Sequence, residues 1–197
     1  MRILERLALT RGLPQVIRTD NGKEFCGKAM VAWTRACRAP GRTAPALVDD
    51  GGELLATAKR YRFDIAHGRH VAALALSLFD QTGDLHGLSR DDRRLLLAAA
   101  LLHDIGVFIN HRRHHKHSLY IISQSELPGL TPLEILMVAN VSRYHRKGGP
   151  ASHHPEFMML GDSERDRVVR MAAILRVADA LDREHRQHVR DIIVKQD

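Results

Sequence analysis

Residues 95–106 read LLLAAALLHDIG: eight apolar side chains in a row, then a histidine and an aspartate back to back. A run that is apolar on every side belongs in the interior of a fold, because a surface helix keeps one polar face. Leu and Ala in blocks favour helix over strand. Eight residues are also far too few to span a bilayer. The run therefore predicts a central helix, and His103 and Asp104 are placed where that helix should still be closing a core. A carboxylate buried without a partner costs on the order of several kcal/mol, so this pair needs a compensating group.

The rest of the chain supplies similar pairs of polar and apolar positions. His67 heads a stripe with Val71, Leu74 and Leu78, and Val168, Ala172, Leu175 and Asp179 form another at helical spacing. His103 continues the stripe of Leu96 and Ala99, and Asp104 that of Leu97, Ala100 and Leu101. Three helices thus direct His67, His103, Asp104 and Asp179 towards one interior. These stripes contain no Arg or Lys that could neutralise the carboxylates. Imidazoles and carboxylates together suit a divalent ion, whether Mg, Mn, Fe, Ni or Zn. Capping the helix end, or pairing with Arg residues elsewhere, is the structural alternative.

Start signals divide the chain into further helices. Asp64 precedes the His67 helix, Ser89 and Asp92 form a capping box ahead of RRLLLAAALLHD, and Thr131-Pro132-Leu133-Glu134 opens another. Ser163 with Asp166 is expected to open the last long helix, ERDRVVRMAAILRVADALDRE. Residues 53–197 are read as one all-α bundle of about six to seven helices. Residues 37–52 include PGRTAPALVDDGG, with two Pro and three Gly in thirteen positions, and form a linker. Residues 1–36 are a separate appendage of one strand and one helix, too small for independent stability. It is expected to be disordered or to pair its strand with another chain.

Composition bounds the functional classes. The chain has 197 residues, 44% of them hydrophobic, which suffices for a sizeable core. A formal charge of +7 with 13 histidines favours polyanionic partners such as polyphosphate, nucleotides or nucleic acid. The N-terminus has no apolar signal-peptide core, and Cys26 and Cys37 match neither a disulfide framework nor a metal spacing. A cytoplasmic protein with no membrane association is the expectation. No helix-turn-helix, zinc finger or basic zipper is present, so sequence-specific DNA binding is not expected.

The ordered set His67, His103-Asp104, Asp179 resembles the H...HD...D signature of the HD-domain metal-dependent phosphohydrolases, an all-helical superfamily. The wider text resembles, over about residues 50–197, the C-terminal HD-type module of the exopolyphosphatase and guanosine pentaphosphate phosphatase family. The stretches that carry this are DIAHGRHVAALALSLFDQ, LLLAAALLHDIGVFINHRRHHKHSLYIISQSELPG, VSRYHRKGGP and ILRVADALDREHRQHVRDI. The resemblance implies a divalent-metal site of His67, His103, Asp104 and Asp179. It makes Asp104 both ligand and water-orienting base, with His103 beside it, and implies a phosphorylated substrate. In that family phosphate release is assigned to an N-terminal actin-like pair of domains, and none of their Gly-rich phosphate loops appears in these 197 residues. Two functions follow as expectations: a phosphohydrolase acting on polyphosphate or nucleotides, or a module that binds polyphosphate, or dimerises, without turnover.

Around the expected site, HRRHHKHS (residues 111–118) and YHRKGG (residues 144–149) are basic. Arg112, Arg113, Lys116, Arg146 and Lys147 are candidate phosphate contacts, and His115 and His145 are candidates for a second metal or the substrate. His145 shares a stripe with Met137 and Val141 and should face inward. Four histidines in seven positions leave the register of His114 and His117 open. His153 and His154 are expected in an exposed loop, and Met158 and Met159 are expected to pack. Separately, RGLPQVIRTDNGKEF and KAMVAWTRA resemble, over about residues 5–36, part of the catalytic core of insertion-sequence transposases and retroviral-type integrases. Asp20 matches the second of that family's three metal-binding carboxylates. The other two have no match, and a two-metal strand-transfer site needs several carboxylates, so no transposase activity is expected.

Overall fold

The computed structural model of the chain describes residues 14–17, 54 and 58–196. The linker, Cys26, Cys37 and Asp20 lie outside the described residues. Seven α-helices are present among the described ones: α1 (Ile65–Gln81), α2 (Gly83–His86), α3 (Arg90–Leu102), α4 (His114–Ser123), α5 (Pro132–Arg143), α6 (Pro155–Met158) and α7 (Asp162–Leu181). Two strands, β1 (Pro14–Ile17) and β2 (Val194–Gln196), flank them in sequence. None of the described helices is long and apolar enough to cross a membrane.

The apolar run of residues 95–102 is the hub. Every residue from Leu95 to Leu102 is buried, and α3 packs against α1, α5 and α7. Ala98, Ala99 and Ala100 are wholly inaccessible, and such short side chains let neighbouring helices approach closely. Where α1 crosses α3, a Cβ on Gly68 would stand 3.0 Å from the Leu101 carbonyl oxygen, so only glycine fits without a shift.

Local chemistry sets the helix ends. Asp64 caps α1 by accepting from the His67 amide at 3.0 Å, and complete capping boxes open α3 (Ser89 and Asp92) and α5 (Thr131 and Glu134). Asp92 is also buried and accepts from Arg167 of α7 at 2.6 Å. The last helix departs from expectation. It begins at Asp162 after Gly161 in extended backbone, so Ser163 lies inside the first turn and does not cap it. Met158 and Met159 also depart from expectation, being 44% and 73% exposed, because α6 turns only Phe157 into the core.

After His103 the chain leaves α3 and forms a 3-10 turn at Ile105–Phe108. Ser118 of α4, fully buried, bridges this break: its hydroxyl donates to the His103 carbonyl at 2.6 Å and accepts from the Gly106 amide at 3.0 Å. Backbone groups freed by the unwinding are thereby satisfied.

Beyond α7 the tail runs back across α1, with Val189 and Ile192 buried. The Gln81 side-chain amide grips it like a neighbouring strand, donating to the Ile192 carbonyl and accepting from the Val194 amide, each at 2.8 Å. Held extended in this way, β2 pairs antiparallel with β1, Ile17 opposite Val194 and Pro14 opposite Gln196. The sequence leads one to expect disorder or pairing with another chain for this strand. Its partner is instead the C-terminal strand of the same chain.

His86, at the end of α2, gives the fold a pH dependence. Its Nε2 faces the Phe79 carbonyl at 2.9 Å, while Nδ1 accepts from the Leu88 amide at 2.9 Å, so the ring is held neutral. Burial is the main cause that pushes its pKa below the ordinary 6.5. A histidine with a lowered folded pKa adds stability that is complete above the unfolded value and lost as pH falls through the folded one. Urea unfolding of wild type and His86→Gln between pH 7.5 and 5 should therefore differ in slope. The variant's stability should fall less steeply, by at most about 1.4 kcal/mol per pH unit. Equal slopes would remove His86 from the acid response.

Candidate metal centre

Four imidazoles surround Asp104 and Asp179, and each is fixed by the same device. His67 donates from Nδ1 to Asp182 Oδ2 at 2.8 Å, His103 to the Ala100 carbonyl at 2.7 Å, and His114 to the His111 carbonyl at 3.0 Å. His145 donates from Nδ1 to the Ser142 carbonyl. A carbonyl or carboxylate can only accept, so each Nδ1 carries a proton and each neutral ring presents a bare Nε2. These bare nitrogens face one another: His67 and His103 Nε2 are 3.3 Å apart, and His114 and His145 Nε2 are 3.2 Å apart. Two lone pairs at such distances repel unless a proton or a metal cation stands between them.

The carboxylates complete two groups. Asp179 Oδ1 stands 3.4 Å from His103 Nε2 and 3.5 Å from His67 Nε2. Asp104 Oδ1 stands 3.0 Å from His114 Nε2 and 3.6 Å from His145 Nε2. Close as His114 is, no donor reaches Asp104 Oδ1 in hydrogen-bonding geometry, and the oxygen is buried without a partner. His67, His103 and Asp179, and also His103, Asp104 and His145, offer donor atoms all within 4.8 Å of one another, the donor set of a divalent-ion site.

The electrostatics show the same need for positive charge. Burial works against the charged form of His103, yet Asp104 and Asp179 outweigh it and push the ring up to about 9. Burial, together with the His103 charge, pushes His145 down to about 3. Burial would raise both carboxylates, but the surrounding histidines hold Asp104 and Asp179 well below the usual range. A proton on His103 thus supplies the charge that an ion would supply.

Above the centre lies a cavity of about 490 Å³. Asp104, Asp179, His114 and His145 reach it from within, and Arg146, Lys147, Arg176, Arg183, His111 and His185 line the rest. Arg176 donates to the Lys147 carbonyl at 2.8 Å and steadies a residue in the left-handed region, φ 61°. Net positive walls over a buried His–Asp cluster suit a phosphorylated ligand.

The sequence-derived residues fall into two sets. His67, His103, Asp104, Asp179 and His145 meet at the centre, and Arg146 and Lys147 line the cavity. Arg112, Arg113 and Lys116 are exposed and are absent from its lining. His115 is buried beside the centre with Nδ1 unpartnered, and burial plus neighbouring cations push it down to about 4. The position facing Asp104 belongs to its neighbour His114. His154, expected in an exposed loop, is half-buried and lies 2.8 Å from the Tyr144 hydroxyl, whereas His153 is exposed.

Motif and stripe alone do not mark Arg176, Asp182, Arg183 or His185, which the structure brings to the centre or its cavity. Arg176, within α7, and Asp182 and Arg183, just past its end, stand three or four residues from Asp179, a pattern legible once Asp179 is taken as a ligand. A ring nitrogen of His185, one of His67 and a carboxylate oxygen of Asp104 also lie within 4.8 Å of one another. The His67 and His185 rings are stacked, 3.6 Å apart and 8° from parallel. A nitrogen lone pair lies in its ring plane, and two stacked, nearly parallel planes share no point within bonding reach of both nitrogens. His185 in this position cannot share an ion with His67.

Comparison with known proteins puts this all-α bundle, whose histidines and carboxylates converge beneath a basic cavity, in a phosphohydrolase-related class. The family described as Ppx/GppA phosphatase, domain III, matches residues 53–195, and the chain belongs to that family. Similar proteins carry the name guanosine-5'-triphosphate,3'-diphosphate pyrophosphatase. That of Vibrio vulnificus (strain YJ016) is 33% identical over 119 residues, covering 59% of this chain and 24% of the relative. That of Pseudoalteromonas translucida (strain TAC 125) is 36% identical over 93 residues, 44% of this chain and 18% of the relative. That of Vibrio parahaemolyticus serotype O3:K6 (strain RIMD 2210633) is 30% identical over 113 residues, 57% and 22% respectively. The match thus spans about a quarter or less of each of these relatives.

Proposed function

We propose that the centre is a divalent-metal phosphohydrolase site acting on phosphoanhydride or phosphoester bonds of nucleotides or polyphosphate. The observation that carries this reading is the buried, unpartnered Asp104 Oδ1 among imidazoles whose bare Nε2 atoms converge. His67, His103, Asp104 and Asp179 would hold the ion, with His114 and His145 available for a second ion or for the substrate. When bound, the ion would acidify a coordinated water and polarise the phosphoryl group.

The chain's own residues divide the remaining work. Asp104 is ligand and orienting base: its free acceptor lone pair can take the hydrogen of an attacking water and aim its oxygen at phosphorus. Arg146, Lys147, Arg176 and Arg183 would hold phosphate oxygens through charge-assisted hydrogen bonds. The buried histidines exclude bulk water, which strengthens these interactions.

A second reading keeps the same contacts without turnover: a module that grips polyphosphate through the cavity walls or pairs with another copy. The basic walls favour it. Phosphate release by the purified chain with Mn, Mg or Zn, offered polyphosphate, guanosine pentaphosphate and simple nucleotides, separates the two. Catalysis requires release by wild type that disappears in Asp104→Ala. No release, with polyphosphate retained at moderate salt, would support the binding module, since loose polyanion attraction weakens steeply as salt rises.

A further inference from the structure

Asp182 is 3% exposed and is used twice by the centre's surroundings. Its Oδ2 accepts from His67 Nδ1 at 2.8 Å and from Gln187 Nε2 at 3.1 Å, and its Oδ1 accepts from the Gln187 amide at 2.7 Å. Its carbonyl accepts from the His185 amide at 2.8 Å. The segment so tied holds two non-glycine residues in the left-handed region, His185 at φ 56° and Gln187 at φ 51°. A non-glycine residue in this region is strained and persists only where its surroundings impose it. Asp64 secures the other side of the segment, 3.0 Å from His185 Nδ1. Arg183 and His185, both in this segment, line the cavity.

The structure assigns to Asp182 the role of a positioning residue that sets the proton of His67 on Nδ1 and, with its other oxygen, fixes the 183–187 segment at the cavity mouth. The inference rests on reading the centre as an ion site. A histidine ligand is commonly oriented through its second nitrogen by a carboxylate, and losing that partner costs about ten- to a hundred-fold in metal affinity. Among the four rings of the centre, His67 alone has a carboxylate on Nδ1, the others having backbone carbonyls. That carboxylate is also the tether of the substrate-facing segment. One buried group therefore couples the ligand's tautomer to the wall that meets phosphate.

Two substitutions separate this role from a merely structural one. In Asp182→Asn the side-chain oxygen can still accept from the Gln187 amide, which turns the NH₂ group towards His67. That NH₂ donates to Nδ1, drives the ring proton to Nε2 and blocks the nitrogen meant for the ion. In Asp182→Ala both bonds are lost. Zn or Mn affinity is measured by titration calorimetry, and the segment by the rate of tryptic cleavage after Arg183 and Arg186.

Asp182→Asn is expected to weaken ion binding by about ten-fold or more with cleavage unchanged, and Asp182→Ala to weaken binding and accelerate cleavage. Affinity within two-fold of wild type in Asp182→Asn would overturn the proposal. Nitrogen shifts of the His67 ring, recorded without metal in mildly alkaline buffer, give a readout independent of any ion. The protonated nitrogen should move from Nδ1 in wild type to Nε2 in Asp182→Asn, and an unmoved proton overturns the role of Asp182. A wild-type chain that binds no ion yet shows this exchange would refute the metal reading and leave the positioning role standing.

Discussion

Gly106→Ala is expected to unfold the corner on which the centre is built. A Cβ at this position would stand 2.2 Å from the His114 carbonyl oxygen, 2.3 Å from the Ser118 amide and 2.8 Å from the His117 carbonyl carbon. All three are backbone atoms of α4, so no side chain can swing aside. The helix must retreat by about 1 Å to restore ordinary contact. Retreat breaks the Ser118 bridge to His103 and Gly106 and withdraws His114 from Asp104. Overpacking usually costs about 1–3 kcal/mol, and a backbone clash with loss of a buried hydrogen-bonded bridge belongs at or above the top of that range. For a domain of this size, each kcal/mol lowers Tm by about 2–4 °C. Thermal unfolding followed by circular dichroism should show Tm lower by about 6–12 °C or more. A fall of less than about 2 °C would mean that α4 is free to move, contrary to the packing described.

The second large effect concerns the ion. An ion that binds the folded state at a concentration a hundred times its Kd stabilises by about 2.7 kcal/mol, which corresponds to about 5–11 °C in Tm. Wild type titrated with Zn or Mn should show such a rise. Asp104→Ala removes the carboxylate whose Oδ1 is buried without a partner, and it leaves His114 and His145 facing each other at 3.2 Å with nothing acidic between them. Affinity should fall more than about a hundred-fold, beyond the cost of losing an outer partner, and the rise should vanish. Lys116→Ala, at an exposed position absent from the cavity lining, should retain it. Equal rises in wild type and Asp104→Ala would place any bound ion elsewhere.

Much of this arrangement could be read from the sequence where polar residues interrupt a strong helical period. Asp64, Ser89 with Asp92, and Thr131 with Glu134 announce their helices because capping is local chemistry, complete within four residues. His67, His103, Asp104 and Asp179 stand out because each occupies an apolar stripe. His114 could not be chosen over His115 by the same logic. The helix that carries it starts after Arg113 in the left-handed region, φ 62°, with no side-chain cap, and this start decides which histidine faces inward. Nor could sequence show that the 182–187 segment folds back over the centre. That path depends on a bond between residues 115 apart, His67 to Asp182. The exposure of Met158 and Met159 has a related cause: a short helix such as α6 is placed by its neighbours more than by its own periodicity.

The Gln81 clasp on the tail has a mechanical consequence. Tension applied along the β1–β2 ribbon reaches the bundle first at the two hydrogen bonds to the Ile192 carbonyl and the Val194 amide. It is then borne by the C-terminal end of α1, about four helical turns from His67. Val189 and Ile192, buried between the clasp and the 182–187 segment, resist peeling. The chain thus carries a strain relief: a pull on the ribbon is met at Gln81 before it reaches the segment bearing Asp182 and His185.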